Sequence, residues 1–301
     1  MYDIIIIGGG PAGLTAALYA RRAQRSVLIL EKETFGGQIT FSPKVENIPG
    51  FPLLSGNEFA EKLVDQVQAL GADTESAEVL GLEDHGAYKT LHTDSGDFEG
   101  RAVILATGAR HRRLGLEGEE DMIGNGISFC AVCDGAFYAG RTVGVVGGGN
   151  SALQEALLLS DVASHVYIIQ NLGFLTGEQT LQTQLAAREN VTVLMGCVVD
   201  GLLGGEELNG VRIRKEATGE IRELALDGLF VAIGLVPQNQ AFADVVALDA
   251  NGYVDADESC MTAVRGVFVA GDCRRKRIRQ VTTAAADGAV AALAACDYLK
   301  E

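Results

Sequence analysis

The chain has 301 residues, long enough for two domains of ordinary size, and 48% of them are apolar, which excludes a disordered polymer. Lys and Arg number 24 against 40 Asp and Glu, and the net charge of -16 excludes a general attraction to nucleic acid or to an anionic membrane surface. Small molecules or proteins are the expected partners. No run reaches the roughly 18 apolar residues of a membrane-spanning helix. Met1 to Gly13 lacks a basic leader and reads as a buried strand running into a glycine turn rather than as a signal peptide. Of six cysteines only Cys130 and Cys133 stand at CxxC spacing, which suits a reducing cytoplasm better than a secreted disulfide framework.

In chain order, Tyr2 to Ile7 is a short apolar strand, Gly8-Gly9-Gly10-Pro11-Ala12-Gly13 a glycine turn, Pro11 to Arg21 the start of a helix, and Val27 to Leu30 the next strand. This is a βαβ unit with a dinucleotide fingerprint. Gly8, Gly10 and Gly13 permit the tight turn, close backbone approach and helix packing that set a pyrophosphate on a helix N-terminus. Glu31, 21 residues after Gly10, is placed to accept hydrogen bonds from ribose hydroxyls. A merely structural glycine turn is the competing reading. Ser55-Gly56-Asn57-Glu58 has capping-box spacing ahead of Phe59, Leu63, Val67 and Leu70, which share one helical face expected to be core.

Ala102 to Gly108 is an apolar strand with a glycine turn that closes the first half. Thr142 to Val146, Gly147-Gly148-Gly149-Asn150-Ser151-Ala152, Leu153 to Leu159 and Val166 to Ile169 then repeat the opening plan at an offset of 139 residues, and Gly228 to Gly234 resembles Ala102 to Gly108. Glycine and proline punctuation at 108–118 and 234–240 marks the exits from the two halves. Val267 to Ala270 reads as one more strand ending at Gly271-Asp272, and Val281 to Leu299 as an alanine-rich helix packing on it. The expected fold class is α/β, with two Rossmann-like (three-layer ββα/βαβ) dinucleotide-binding domains, the second inserted into the first. The expected boundaries are 1–112, 113–240 and 241–301. Asp272 is expected either to bond a second sugar-like chain or to cap the helix near Gln280.

Between the fingerprints lies Cys130-Ala131-Val132-Cys133-Asp134. A redox pair bracketed by two dinucleotide folds points to a disulfide flavoenzyme. A disulfide closed over two residues opens when an electron pair arrives from a reduced flavin, and the resulting thiolate needs a lowered pKa to react near neutral pH. The carboxylate of Asp134 beside the pair suits proton transfer. A buried structural disulfide is the bland alternative. A zinc site would need two more ligands, and His111 and His165 offer no companion at suitable spacing, so no metal is expected. Cys197, Cys260, Cys273 and Cys296 read as small buried apolar residues.

Gly36-Gly37-Gln38, Glu46-Asn47-Ile48-Pro49-Gly50-Phe51, Ala106-Thr107-Gly108-Ala109, Cys130 to Tyr138, Gly271-Asp272 and Arg279-Gln280 together resemble the low-molecular-weight bacterial thioredoxin reductases, and the match runs nearly end to end. The resemblance implies FAD in the first domain at Gly8, Gly10, Pro11, Ala12, Gly13, Glu31, Gly37, Gln38, Asn47, Ala106, Thr107, Gly108, Gly271, Asp272, Arg279, Gln280 and Val281. It implies catalysis by Cys133 facing the flavin, Cys130 attacking a partner disulfide and Asp134 donating and accepting protons. It also implies a cytoplasmic homodimer that reduces thioredoxin or a thioredoxin-like protein, and a domain rotation, since the disulfide cannot rest on the flavin and reach a protein at once.

The second fingerprint departs from that family. The place filled by Glu31 in the first unit is Gln170, followed by Asn171-Leu172-Gly173-Phe174-Leu175-Thr176, where the resembled reductases carry arginines that hold the 2′-phosphate of NADPH. Efficient NADPH use is therefore not expected. Gly147, Gly149, Asn150, Ser151 and Ala152 still permit NADH or weak NADPH binding, or persist as a vestigial turn that packs strand on helix. Electrons from reduced ferredoxin are the first alternative, and a dithiol oxidase or a noncatalytic flavin redox sensor the second. Asp134, where such oxidases carry histidine, favours the reductase direction. Two basic clusters, Arg110-His111-Arg112-Arg113 and Arg274-Arg275-Lys276-Arg277 with Arg279, are expected either to steer an acidic electron carrier or to be solvated loops.

Overall fold

The computed structural model describes residues 1–42 and 44–301. By internal contacts it forms two units, the first made of Met1–Lys44, Ile48–Arg110 and Val236–Glu301, the second of Val45–Asn47 and His111–Leu235.

The first unit opens with β1 (Tyr2–Ile7), α1 (Pro11–Arg22), β2 (Val27–Glu31), α2 (Gly56–Ala69) and β3 (Asp73–Ser76), followed by β4 (Val79–Asp84), β5 (Lys89–Thr93) and β6 (Gly96–Leu105). Four consecutive isoleucines cannot all face one side of a strand, so both faces of β1 must be covered. They are: Ile4 and Ile6 pack into a core shared with α1 and the last helix α7 (Val281–Tyr298), while Ile5 and Ile7 pack on the other side with Leu82, Leu91, Phe242 and Val254. β1 pairs in parallel with β2 and β6, and β2 with β3. The long β6 serves two neighbours. Its first half pairs antiparallel with β5, and Val103–Leu105 pair in parallel with the late strand β17 (Val267–Val269).

The expected capping box forms: Ser55 Oγ accepts the Glu58 N–H at 3.1 Å, and Glu58 Oε2 accepts the Ser55 N–H at 2.7 Å. The apolar face ends at Val67. Leu70, expected in that face, is instead the helix cap and 37% exposed, because the chain leaves helical geometry there.

The second unit repeats the plan. After α3 (Glu119–Met122), β8 (Ile127–Ser128) and α4 (Ala131–Asp134) come β9 (Thr142–Val146), α5 (Asn150–Ser160), β10 (His165–Gln170), α6 (Gln179–Ala186) and β11 (Val191–Met195). An antiparallel layer of β12 (Cys197–Gly204), β13 (Leu208–Lys215) and β14 (Ile221–Ala225) follows, and then β15 (Gly228–Val231). The parallel order β11-β10-β9-β15-β8 matches β3-β2-β1-β6-β17 of the first unit. One strand is displaced in sequence: the partner of β6 comes at the chain's end, whereas β8, the partner of β15, comes before β9. Val143 and Val145 face the helices, and Val146, Ile169 and Leu229 face the antiparallel layer. The two crossings between units run as β7 (Ala109–His111) and β16 (Leu235–Pro237), which pair with each other. Among the described residues no helix is long and apolar enough to cross a membrane.

One polar network is built into the first unit's core. Asp287 of α7 accepts bonds from Arg274 Nε and Lys276 Nζ, each at 2.9 Å, and from the Gly271 N–H at 3.0 Å. Arg274 also reaches Glu258 at 2.9 Å. Burial alone would raise the Asp287 pKa, but the bonds from Arg274 and Lys276 outweigh it and hold the carboxyl below its ordinary range. Its contribution to stability is therefore present above the ordinary carboxylate pKa and is lost as pH falls through the depressed value. Asp287→Ala strands two buried cations and is expected to cost about 3–5 kcal/mol at neutral pH, with the gap to the parent narrowing in acid. Urea unfolding across pH checks this. An unchanged midpoint at neutral pH would contradict it.

Candidate functional site

β8 ends at Ser128 and delivers the chain to Cys130, the cap of the single-turn helix α4. Cys130 and Cys133 are joined by a disulfide, with their Cα atoms 5.3 Å apart. The Cys130 carbonyl accepts the N–H groups of Cys133 at 3.1 Å and Asp134 at 3.0 Å, so the turn that closes the disulfide also fixes the carboxylate beside it. Ser128 Oγ accepts the Cys130 N–H at 3.1 Å and donates to Asp134 Oδ2 at 2.6 Å. The other oxygen, Oδ1, is buried without a partner. Burial raises the Asp134 pKa, and the Ser128 bond offsets it only in part. Val132, between the cysteines, is 63% exposed.

Behind α4 stands a residue that the sequence reading missed. Glu155 lies on α5, whose buried stripe is Ala152, Ala156 and Leu159. A glutamate inside that stripe was the available signal. Burial pushes its pKa up to about 7, against the lowering effect of the neighbouring Ala131 backbone and with a further rise from the charge of Asp134. Its Oε2 is also buried without a partner.

In the first fingerprint Gly8 has φ 112°, and a Cβ there would stand 2.3 Å from the Ala106 carbonyl oxygen. Gly10 caps α1 with no side-chain bond to the helix amides, Pro11 opens the helix, Ala12 is buried, and a Cβ at Gly13 would meet the Gly8 carbonyl at 1.9 Å. Glu31 Oε2 accepts the Gly9 N–H at 2.6 Å, which sets the acid at the rim of the turn. Gly37 faces Gly10, with its Cβ position 3.2 Å from the Gly10 Cα. Gln38 donates to the Ala109 carbonyl, and Thr107 Oγ1 donates to Asn239 Oδ1 at 2.8 Å. Asn239, fully buried and also missed, bonds the Gly252 and Cys273 carbonyls and so ties the 106–108 turn to the end of β17. Gly108 has φ 68°.

At the end of β17, Gly271 has its Cβ position 2.8 Å from the Ala12 Cβ, which brings Asp272 beside the start of α1. Asp272 does not cap α7. Gln280 and Thr283 form that box, ahead of Val281 as the first helical residue, because Asp272 is committed to the turn after β17. Asp272 Oδ1 is buried without a partner. Arg279 lies 4.2 Å over the Tyr253 ring and bonds the Asp272 carbonyl. Asn47 falls in the 45–47 stretch that groups with the second unit. An uncapped helix start and an orphaned buried carboxylate oxygen fit the phosphates and polyol hydroxyls of the expected FAD. The four remaining cysteines, Cys197, Cys260, Cys273 and Cys296, are buried.

The second fingerprint keeps the turn and changes its rim. Gly147 has φ 130°, with its Cβ position 2.5 Å from the Ala232 carbonyl oxygen, and Gly149 caps α5. Ala152 is buried, Ser151 is exposed, and Asn150 is locked to Glu178, which it bonds at 3.0 Å and whose N–H it accepts at 2.7 Å. Gln170 is buried, covers Gly148 and donates to the Phe174 carbonyl at 3.1 Å. Thr176 and Gly177 return their N–H groups to the Gly148 carbonyl, so the cation-free 171–177 loop folds back onto the turn.

The basic clusters are partly spent on internal partners, while Arg112 and Arg277 are exposed. Arg274 and Lys276 are spent on Asp287, Arg275 pairs with Asp255 at 3.1 Å, and Arg279 covers Tyr253. In the other run Arg110 pairs with Glu33, Arg113 lies over Phe129 and pairs with Glu120, and His111 stacks on Phe129. Burial and the Arg113 charge push the His111 pKa down to about 4, so it is neutral at pH 7. In the 274–279 run Arg274 and Lys276 serve the core, while Arg275 and Arg277 are exposed.

Comparison with known proteins agrees with this geometry. The chain is 39% identical over 302 residues to the thioredoxin reductase of Listeria monocytogenes, covering 100% of this chain and 95% of that one. It is 38% identical over 305 residues to the thioredoxin reductase of Bacillus subtilis, covering 100% and 96%. The crystal structure of thioredoxin reductase from Streptococcus pyogenes matches with a TM-score of 0.95 at 38% identity, covering 100% of this chain and 98% of that one. The family model for pyridine nucleotide-disulphide oxidoreductases matches residues 2–288, and the chain belongs to that family.

Proposed function

We propose that this chain is an FAD-dependent thioredoxin-disulfide reductase that works through Cys130 and Cys133 and makes poor use of NADPH. The observation that carries the reading is a disulfide on a one-turn helix with a buried, hydrogen-bonded carboxyl, Asp134, at its end. The first fingerprint and Asp272 would hold FAD, which would supply the electron pair that opens the disulfide. The S–S bond breaks, the two sulfurs take up two electrons, and Cys130, as thiolate, attacks the disulfide of thioredoxin while Cys133 later resolves the mixed disulfide. Asp134, kept protonated to higher pH than an ordinary aspartate by its burial, donates and recovers the proton that this exchange moves.

The electron donor is argued from the second fingerprint. Without a guanidinium at 170–176, a 2′-phosphate forfeits its charge-assisted bonds, and Glu178 stands at the head of α6 close to Asn150. NADH, which lacks that phosphate, is the nucleotide this rim admits. Reduced ferredoxin is the alternative donor, although Arg274 and Lys276 of the basic run are spent on Asp287. We include a homodimer in the reading, since Tyr19, Val290 and Leu293 expose apolar surface on the adjoining helices α1 and α7, and a cytoplasmic setting, where reductants keep a CxxC cycling.

An anaerobic titration tests the whole reading: flavin absorbance is followed on adding NADH, NADPH or reduced ferredoxin, with thioredoxin disulfide as the final acceptor. Reduction by NADH at concentrations at least tenfold lower than NADPH is expected, and full bleaching by micromolar NADPH would overturn the donor assignment. Asp134→Asn is expected to slow thioredoxin reduction by about 10²–10⁴-fold while leaving the visible spectrum unchanged. A variant with parental turnover would remove Asp134 from its role.

A further inference from the structure

Ser128 closes a ring of hydrogen bonds around the redox turn, and the register of the second sheet brings it there. Gly228 to Gly234 aligns with Ala102 to Gly108, so Phe230 stands for Ile104, and the strand partners of these two are Ser128 in the second sheet and Phe268 in the first. A buried hydroxyl thus stands where the duplicate unit buries a phenyl ring. Such an exchange gives up apolar burial and desolvates a polar group, a cost that is offset only where the hydroxyl finds partners. Ser128 finds two. It accepts the Cys130 N–H at 3.1 Å and donates to Asp134 Oδ2 at 2.6 Å, while the Cys130 carbonyl accepts the Asp134 N–H at 3.0 Å. One oxygen atom therefore fixes both the amide that opens the turn and the acid that ends it.

A hydroxyl has one proton to donate, and Ser128 gives it to Oδ2 while its oxygen takes the Cys130 N–H. A proton on Oδ2 itself would face that donor across 2.6 Å. The other seat is Oδ1, which is buried without a partner. The bond from Ser128 also stabilises the ionised acid, and so works against burial, the larger influence, which raises the Asp134 pKa. Among the groups around it, Glu155 on α5 feels the Asp134 charge, β15 carries no ionisable side chain, and Tyr138 after α4 feels Asp134 together with Arg141 and Asp227. All of these stay in place when Ser128 alone is changed, so a difference between variants reports the hydroxyl.

We propose that Ser128 is a positioning residue for the redox turn, whose hydroxyl holds Oδ2 of Asp134 as an acceptor and so places the exchangeable proton of that acid on Oδ1. This deepens, and rests on, the reading of Cys130 and Cys133 as a redox pair served by Asp134. Reduction of the pair breaks one S–S bond and takes up two electrons and two protons to give two thiols, the electrons coming from the flavin or from an added dithiol. In the exchange that follows, enzyme dithiol and thioredoxin disulfide become enzyme disulfide and thioredoxin dithiol, with no net change in electrons or protons. The proton that the leaving sulfur takes up is the one that Asp134 carries and recovers. Without the Ser128 bond the acid keeps that proton to higher pH but is held less firmly beside the pair.

The test uses the purified flavoprotein with Ser128→Ala and Ser128→Thr. Redox-difference infrared spectra, taken with dithiothreitol as reductant, are expected to contain a protonated-carboxyl band that Asp134→Asn removes. With the proton on Oδ1, Oδ2 is the carbonyl oxygen, so Ser128→Ala frees it of a hydrogen bond and moves the band to higher wavenumber, while Ser128→Thr returns it. Single turnovers of dithiothreitol-reduced enzyme with thioredoxin disulfide give the second readout and require no nucleotide or ferredoxin. Below the basic limb of the pH profile Ser128→Ala is expected to be about fivefold slower, and its limb moves to higher pH, so the deficit narrows to within about twofold above the parent's limb. Ser128→Thr is expected to restore both rate and limb. A band or a limb that stays in place in Ser128→Ala, or a loss equal at every pH, would reduce Ser128 to a packing residue and overturn the proposal. If Ser128→Ala fails to fold, Ser128→Cys, a weaker donor of similar size, decides, and a band at the parent's position means the idea is wrong. The infrared arm needs no thioredoxin, so a flavoprotein whose band moves but which leaves thioredoxin disulfide intact fails the functional proposal and keeps this one. A flavoprotein that reduces thioredoxin with an unmoved band does the reverse.

Discussion

Two backbone contacts set the frame for everything else: Gly8 against the Ala106 carbonyl and Gly147 against the Ala232 carbonyl, each closer than any Cβ allows. They force a positive φ at the first glycine of each turn, and they fix where α1 and α5 start relative to the strand that follows β1 or β9 in the sheet. From α1 follow the uncapped amides that face Asp272. From α5 follows the stripe that meets α4, and through it the backing of the disulfide. A side chain at either glycine would meet that carbonyl, so the turn and the helix it opens would have to give way.

Buried carboxyls in this protein show how neighbours decide chemistry. Asp287 is surrounded by Arg274, Lys276 and the Gly271 amide, and it is held ionised as a structural anchor. Asp134 has one hydroxyl bond, from Ser128, and it and Glu155 are both pushed toward the neutral acid by burial. The first arrangement stores stability. The second leaves carboxyls that keep their protons to higher pH than ordinary ones.

Much of this was legible in the sequence because local chemistry dictates it. The isoleucine run of β1, the glycine turns, the Ser55–Glu58 box and the alanine-rich α7 each follow from a short-range rule, and all appear within a residue or two of their expected bounds. The antiparallel layers were not read. β4 and β5 alternate poorly, with Gly81 and a buried Lys89 paired to Asp84, and Asp200-Gly201 interrupts the apolar run of β12, so their pattern emerges only against the face they cover. The 274–279 run misled because charge reads as exposure until a buried partner is known, and that partner, Asp287, lies 13 residues beyond Arg274. Glu155 and Asn239 were invisible for the same reason: each looks like a solvated polar residue in its own helix or loop and gains meaning only from an element distant in sequence.

The displaced strand has one more implication. In the first unit β17 delivers the chain to Asp272, and in the second β8, at the matching place in the sheet, delivers it to Cys130. The sulfurs therefore follow, in the second sheet, the strand whose counterpart in the first sheet leads to Asp272. They are also welded, through one turn of helix, to the same scaffold that carries the second glycine loop. Thiols and loop belong to one compact unit, so the distance between them is set by the fold of that unit alone.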